Sequence, residues 1–435
     1  MARGLSRVAP AMRLAIAGGV VSALFSLLFQ SPGVVLSPDG WAYWEGSVSL
    51  LRGDGYRYLD GPPIDAWPPG FSAYLALWQL LFGVSAGTLA VAHAMAIGVA
   101  SALWIAVAMR HFPGRRLPPA AFAAAATLAL LIPIALRAVL SESLFMAWIG
   151  AALLVAAGVG SGETALQRGS RWAILGFCSA GMLLTRHAGV AYLPALAWIA
   201  SRSRPAAAVA ATARFALAAS AALAAWLAVL QSLGRFGNNP RVPFEAGFVA
   251  RVAGNLLDNL AALASSLLPG SPVGVVGVAL LAASLGLATG LEISQREPGG
   301  GAARGIPGLV PAAVLAGVCA AAVSALYDVR GARIVLPISA LVVLVLVHAS
   351  AQVSRTAVRR VAVVALFTLA AVQLGRAGYW VRHVSRIESA GLSWSLELVP
   401  PCGPGADCRR LPGQVEPPTF GWIERDGSKA PSLAP

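Results

Sequence analysis

Long apolar runs recur along the chain and are separated by short polar segments that are rich in arginine. Runs of about 15–25 apolar residues have the length of an α-helix that crosses a lipid bilayer. Eleven such helices are predicted, over 14–30, 86–109, 118–136, 143–159, 172–185, 188–200, 207–231, 272–291, 307–326, 335–350 and 361–378. Only Arg186 and His187 separate the fifth helix from the sixth, so one long helix is the alternative there.

The placement of arginine decides between one helix and two. Lys and Arg concentrate on the cytoplasmic loops of membrane proteins. With two helices, the cytoplasmic segments hold sixteen arginines and three acids, and the N-terminus is cytoplasmic. One long helix would move several of these arginines to the outer side, among them Arg202, Arg204, Arg355, Arg359 and Arg360. The eleven-helix topology is therefore preferred, and it places the C-terminus on the outer side.

Composition supports a membrane protein. The 435 residues are 57% hydrophobic and 11% charged, with a mean hydropathy of +0.73. Soluble domains have about 45–50% apolar and about 25% charged residues. The formal net charge of +14 would suit a nucleic-acid partner, but the loop positions of the arginines explain it without one. These features exclude a soluble enzyme, a disordered chain and a nucleic-acid binder, and they predict an all-α polytopic membrane protein.

The topology divides the chain into a transmembrane domain, 1–378, and a short outer tail, 379–435, which is expected to be partly disordered. Within the domain, two larger outer loops are predicted over 31–85 and 233–271. Cys402 and Cys408 lie in the tail. They would form a disulfide if the tail faces an oxidising compartment and their geometry permits it.

Asp39 follows the first predicted helix closely and should lie near the membrane surface, next to Trp41, Tyr43 and Trp44. A carboxylate at this depth is costly unless it has a partner or a function, and it could act as a general base. The alternative is that Asp39 caps the N-terminus of a helix. The aromatic residues themselves are typical of interfacial anchors.

The rest of the first outer loop has the pattern of membrane-surface structure. Apolar residues at helical spacing predict an amphipathic helix over Trp41–Leu51. Trp67, Pro68 and Pro69 form a stiff extended element. The apolar run Phe71–Phe82 is too short to span a bilayer, which predicts a second surface helix or a re-entrant helix.

Other candidate residues lie in the tight outer turns. Glu142 precedes the fourth helix; it either forms a structural salt bridge with Arg137 or is a second carboxylate of the site. Arg186, Arg330 and Arg333 would reach the same membrane face as Asp39. Arginine binds phosphate in a bidentate manner, although arginines at helix ends also extend harmlessly to the interface.

Several site classes have no signature in the sequence. There is no metal-ligand motif, no phosphate-binding GxxxxGK[ST] loop and no dinucleotide GxGxxG. His93 and His348 lie inside predicted helices, where a lone histidine is more often hydrogen-bonded structure than a catalyst. No metal site is predicted, and whether a divalent metal is needed stays open.

Several motifs in order resemble those of the GT-C superfamily of membrane glycosyltransferases. The chain is similar in particular to protein O-mannosyltransferases and aminoarabinose transferases, the family 39 type. The resemblance rests on Asp39 with its aromatic stretch and Pro-Pro-Gly element, and on Ser141-Glu142-Ser143-Leu144-Phe145, Thr185-Arg186-His187-Ala188-Gly189 and Arg333-Ile334-Val335-Leu336-Pro337. It covers about residues 14–350.

The resemblance implies a bacterial inner-membrane enzyme that transfers sugar from a polyprenyl-phosphate donor to an acceptor glycan, lipid or protein at the periplasmic face. Asp39 would be the catalytic carboxylate and Glu142 a second acidic residue. Arg186, Arg330 and Arg333 would bind the donor phosphate. Four residues of the first loop would contact substrate: Tyr43, Trp67, Pro68 and Pro69. The chain departs from many relatives at Gly40, where they have Glu after the Asp, and at Ile334, where they have Tyr.

Two other functions fit the sequence. A transporter or lipid flippase would share the helices and the basic interface, but it would place polar residues near mid-membrane instead of at one face. A non-catalytic membrane scaffold would explain the departures at Gly40 and Ile334.

Overall fold

The computed structural model describes residues 2–30, 38–59, 61–65, 67–111, 140–158, 165–202 and 247–267, with positions 312, 315–317, 319 and 320. The helices of these residues are α1 (Ala2–Gln30), α2 (Pro38–Arg52), α3 (Gly70–Phe82), α4 (Ala86–His111), α5 (Glu142–Gly158), α6 (Ala165–Thr185), α7 (Leu193–Arg202) and α8 (Phe248–Leu267), with a 3-10 helix over His187–Tyr192. Apart from one isolated β-bridge, between Arg57 and Pro63, these residues contain no strand structure. The all-α prediction is therefore confirmed for the described ranges.

Helices α1 and α4 pack antiparallel. Gln30 meets His93 near one end of the pair, and Gly18 lies against Ile105 further along. A Cβ atom on Gly19 would lie 2.6 Å from the carbonyl oxygen of Gly98, so the two backbones are in direct contact. Small residues permit this close approach between helices in lipid. The packing fixes the end of α1 beside the first turns of α4.

Helix α5 runs in the same direction as α4. Leu144, near its start, packs in one cluster with Ala92 and Ala96, whereas Gly150 lies against Leu103 and Trp104 further along. The Trp104 indole donates a hydrogen bond of 3.0 Å to the carbonyl oxygen of Met146. The first turn of α5 therefore lies level with the first turns of α4.

The chain breaks between α6 and the 3-10 helix at Arg186, whose backbone is extended, with φ −151° and ψ 135°. Gly189 then packs closely on α6, since a Cβ atom there would lie 3.0 Å from the carbonyl oxygen of Met182. Helix α7 follows the 3-10 helix. Residues 172–200 therefore do not form one continuous α-helix, and the predicted crossing of the membrane by each part stays a prediction.

The segment between α1 and α4, predicted as the first outer loop, contains the two predicted helices. The amphipathic pattern over Trp41–Leu51 corresponds to α2, and the short apolar run over Phe71–Phe82 corresponds to α3. Between them, Gly53 and Gly55 have φ of 81° and 83°, a conformation that favours glycine. The turn is fastened to α2 because the Leu59 amide donates to the Glu45 carboxylate at 3.3 Å.

Within the described ranges, one helix is long and apolar enough to cross a membrane, Ala86–Arg110. Shorter apolar helices are Met12–Leu28, Gly70–Phe82, Glu142–Ala156 and His187–Ile199. Helices α1 and α6 begin earlier than the predicted runs because their arginine-bearing ends continue the helix beyond the apolar part. Five predicted helices, 118–136, 207–231, 272–291, 335–350 and 361–378, lie outside the described residues. So does most of 307–326, and the number of eleven stays a prediction.

Candidate active site

The ends of four helices, α1, α4, α5 and α6, meet the segment between α1 and α4 at one end of the bundle. The last residue of α1 reaches α4, and the first residue of α5 pairs with the residue that follows α6. The start of α3 lies on the end of α6, and α2 is bonded to the residue before α5. The predicted site residues that the structure describes are all located here.

Glu142 and Arg186 form the central contact of this region. Glu142 Oε1 lies 2.7 Å from Arg186 Nη1, and the two side chains are 1% and 20% exposed. Glu142 is the first residue of α5, where a negative charge is favoured by the helix dipole. The Glu142 carboxylate is therefore held inside the protein, while part of the Arg186 side chain remains accessible. The alternative partner considered for Glu142, Arg137, lies outside the described residues.

Ser141 links this ion pair to α2. Its hydroxyl accepts a hydrogen bond of 3.1 Å from Arg186 Nη1 and shares another, of 3.0 Å, with the hydroxyl of Tyr43. Its backbone carbonyl accepts the amide of Phe145 and so begins α5. Ser141 was part of the sequence motif, but this connecting role depends on long-range packing and has no sequence signal of its own.

Tyr43 is a buried residue of α2, with 1% of its surface exposed. Burial raises the pKa of its phenol above the ordinary value of 10.0; the charge of Arg186 lowers that pKa, and the charges of Asp39 and Glu142 raise it. The same phenol is therefore within electrostatic range of all three candidate site residues. Its burial favours a positioning role over the direct substrate contact expected from the sequence.

Asp39 lies in the first turn of α2, directly after Pro38, and is partly exposed. Proline is well suited to the first position of a helix, and an acid beside it is stabilised by the helix dipole. The position of Asp39 is compatible with a role in stabilising the helix start and with the role of a catalytic carboxylate. Asp39 is one helical turn before Tyr43, so it faces the same region as the Glu142–Arg186 pair.

The Pro-Pro-Gly element packs against this group. The Trp67 ring lies 6.3 Å from the Tyr43 ring, edge to face, and Phe71 packs on Tyr43 in the same manner at 5.1 Å. A Cβ atom on Gly70 would lie 2.6 Å from the carbonyl oxygen of Leu184, so only glycine permits this approach of α3 to α6. Pro68 is buried, and Pro69 directly precedes α3.

A second polar group lies between α1 and α4. The amide nitrogen of Gln30 donates to Ser26 Oγ at 2.8 Å and lies 3.3 Å from His93 Nδ1. All three residues are buried, and the charge of Glu142 acts on the His93 ring. The sequence identified His93 as a lone histidine in a helix; its pairing with Gln30 could not be read from the spacing.

Arg330 and Arg333, predicted to bind phosphate, lie outside the described residues, as do Cys402 and Cys408. No grouping of three or more His, Cys, Asp or Glu side chains suited to a metal ion occurs within the described ranges.

The chain is similar in structure to ArnT. Two crystal structures of ArnT from Cupriavidus metallidurans, one bound to undecaprenyl phosphate and one in the apo state, each give a TM-score of 0.49. Sequence identity is 16% and 15%, and the similarity covers 78% of this chain but 60% of ArnT, so the chain spans less than two thirds of that protein's length. The sequence matches no protein-family profile, and no curated protein is significantly similar to it.

Proposed function

We propose that this protein is a membrane glycosyltransferase. It transfers a sugar from a polyprenyl-phosphate donor to a hydroxyl group of an acceptor glycan, lipid or protein at the outer face of the bacterial inner membrane. Asp39 is the catalytic carboxylate, and Arg186 binds the donor phosphate.

The observation that carries the proposal is that protein contacts hold Arg186 in place while part of its side chain stays accessible to a ligand. Glu142 and Ser141 both hold its Nη1 nitrogen, yet a fifth of the side chain is exposed. A guanidinium has five N–H donors in a fixed plane, so donors remain for an anionic ligand after these two contacts. Because its orientation is already set, little conformational entropy is lost when it binds a phosphate. Arg330 and Arg333 are proposed to complete this phosphate site.

The chemistry needs a base on the acceptor side and a cation on the leaving-group side. The acceptor oxygen forms a bond to the anomeric carbon of the sugar as the bond from that carbon to the phosphate oxygen breaks. Asp39 takes the proton from the acceptor hydroxyl, and Arg186 stabilises the charge on the departing lipid phosphate. A single displacement of this kind inverts the anomeric configuration.

Glu142 has a different task from Asp39 in this proposal. Its carboxylate is buried and paired at 2.7 Å, so it is a positioning residue that orients Arg186. Tyr43 supports the same orientation through Ser141. Trp67, Pro68 and Pro69 form the wall of the loop that brings Asp39 to the site.

The test uses membranes from cells that overproduce the protein, supplied with radiolabelled polyprenyl-phosphate sugars, one sugar at a time. We compare wild type with Asp39→Asn and with a matched control, Asp54→Asn, which changes an exposed acid of the same loop. We expect wild type and the control to release label from one donor, and Asp39→Asn to be slower by at least about 100-fold, the typical contribution of a general base.

Equal rates for the two variants would remove Asp39 from the mechanism. If wild type releases no label from any donor, the glycosyltransferase proposal is wrong, and lipid flipping would be measured next. Thermal unfolding of each variant in detergent shows whether lost activity reflects lost folding.

A further inference from the structure

The polar group between α1 and α4 includes a histidine nitrogen with no assigned role. His93 is 0% exposed, and its Nε2 atom has no hydrogen-bond partner in the part of the chain that the structure describes. Buried polar atoms are almost always paired, so this nitrogen needs an explanation. The explanation depends on which groups lie on the Nε2 side of the ring.

The contact with Gln30 fixes the tautomer of the His93 ring. An amide nitrogen only donates, so His93 Nδ1, which lies 3.3 Å from the amide nitrogen of Gln30, is the acceptor. The ring hydrogen is then on Nε2, an assignment that follows from the hydrogen-bond network. Because Nδ1 faces Gln30 on α1, the N–H group at Nε2 points away from α1.

His93 belongs to the face of α4 that packs on α5. His93, Ala96 and Trp104 are spaced at i, i+3 and i+11, which places them on one side of the helix. Ala96 shares a hydrophobic cluster with Leu144 of α5, and the Trp104 indole donates to the carbonyl oxygen of Met146 at 3.0 Å. The His93 ring therefore lies between α1, which its Nδ1 contacts, and α5.

The register of α4 and α5 brings His93 to the level of Glu142. The two helices run in the same direction, and a Cβ atom on Gly150 would lie 3.0 Å from Leu103 Cβ. Eight residues earlier, Glu142 on α5 is level with Met95 on α4, which is two residues, or about 3 Å along the axis, from His93. The axes of packed helices are about 8–10 Å apart. The charge of Glu142 accordingly acts on the His93 ring.

We propose that His93 is a positioning residue of the phosphate site. The dipole of its Nε2–H group favours the negative charge of Glu142, and Glu142 in turn holds Arg186 at 2.7 Å. A dipole acts more strongly on a charge in the buried, low-dielectric interior than in water. Gln30 contributes by holding the ring in the tautomer that carries its hydrogen on Nε2. This inference rests on the proposed function, in which Arg186 binds the donor phosphate.

The test measures the binding of radiolabelled polyprenyl phosphate to the purified full chain in detergent. His93→Asn keeps a polar group near Nδ1 and removes the one at Nε2, whereas His93→Gln keeps a polar group near Nε2. Ser101→Ala is the matched control, since Ser101 is buried further along the same helix. We expect His93→Asn to raise the Kd by about 3- to 10-fold, and His93→Gln and the control to stay within about twofold of wild type.

The decisive measurement repeats His93→Asn in a Glu142→Gln background. If His93 acts through the charge of Glu142, its effect on the Kd should vanish there. The same factor in both backgrounds would overturn the proposal and make His93 a packing residue, and so would an unchanged Kd for His93→Asn alone.

The failure of the proposed function has a different result, in which wild type does not bind polyprenyl phosphate at all. The phosphate site and the role of His93 in it would then both be wrong. The melting temperatures of wild type, the two single variants and the double variant give a separate measure of the contact. Shifts that are less than additive mean that His93 and Glu142 interact, and additive shifts mean that they do not.

Discussion

Glu142 and Arg186 form an ion pair in which the two partners are unequally exposed. The Glu142 side chain is 1% exposed and the Arg186 side chain 20% exposed, and Glu142 Oε1 lies 2.7 Å from Arg186 Nη1. Removing one partner of a buried pair is more costly than removing both, because the remaining charge has no compensation. Because the exposure is unequal, the two single substitutions should differ in how much they lower the free energy of unfolding.

Arg186→Gln should destabilise the protein by about 3 kcal/mol or more, since it leaves the Glu142 charge buried. Glu142→Gln should cost less, because the Arg186 side chain can still reach water. The double substitution should cost less than the sum of the two. Thermal unfolding in detergent measures all three. If the losses of the two single substitutions simply add in the double substitution, Glu142 and Arg186 do not interact in the folded protein.

Gly70→Ala should separate α3 from the end of α6. The added Cβ atom would lie 2.6 Å from the carbonyl oxygen of Leu184, a backbone atom that cannot turn aside. We expect a loss of about 1–3 kcal/mol in the free energy of unfolding. Gly87→Ala is the control, since its nearest neighbour would be Ser85 Oγ at 3.7 Å. Alanine is favoured over glycine in a helix by about 0.5–1 kcal/mol, so this variant should be neutral or more stable. Equal changes in the free energy of unfolding for the two variants would contradict the close contact of Gly70 with Leu184.

Tyr43 should make stability depend on alkaline pH. Burial raises the pKa of its phenol above the value of 10.0 that it has in an unfolded chain. Above pH 10 the folded state therefore keeps a proton that the unfolded state releases. The stability that the buried Tyr43 phenol contributes is complete below pH 10 and is lost as the pH rises above it. We expect the free energy of unfolding to fall less steeply between pH 9 and about pH 11 in Tyr43→Phe than in wild type. Parallel slopes for the two proteins would mean that Tyr43 is exposed.

The same substitution has a measurable effect at neutral pH. Tyr43→Phe removes the hydroxyl that shares a 3.0 Å hydrogen bond with Ser141. A bond of this kind contributes about 1 kcal/mol to stability. Because Ser141 also accepts from Arg186, we expect a modest loss of activity in addition, much smaller than that of Asp39→Asn.

Helices α2 and α3 could be predicted from sequence because their signals are local. The apolar spacing in Trp41–Leu51 and the short run in Phe71–Phe82 each depend on neighbours within a few turns. The break at Arg186 was predicted from the distribution of charge over the loops. The start of α6 could not be predicted in this way, since the helix continues through residues 165–171 beyond the apolar run.

The candidate site shows the limit of local patterns. The sequence pattern predicted Glu142 at a helix start, with Arg137 as a possible partner. The ion pair that the structure describes is with Arg186. Likewise, nothing in the spacing of Gln30 or His93 indicates that they meet. These contacts join residues that are far apart in the chain, and they depend on how whole helices pack.

The direct contact of Gly19 with Gly98 also bears on how the protein is inserted. If α1 spans the bilayer as predicted, it enters well before α4 is made, and lipid chains first cover its glycine surface. The arrival of α4 then displaces those chains and replaces them with a backbone surface that fits closely. Since this exchange releases lipid instead of water, its strength should respond to the composition and thickness of the host membrane. Assembly of the end of the bundle to which α1 delivers Gln30 would then vary with the bilayer in which the chain is made.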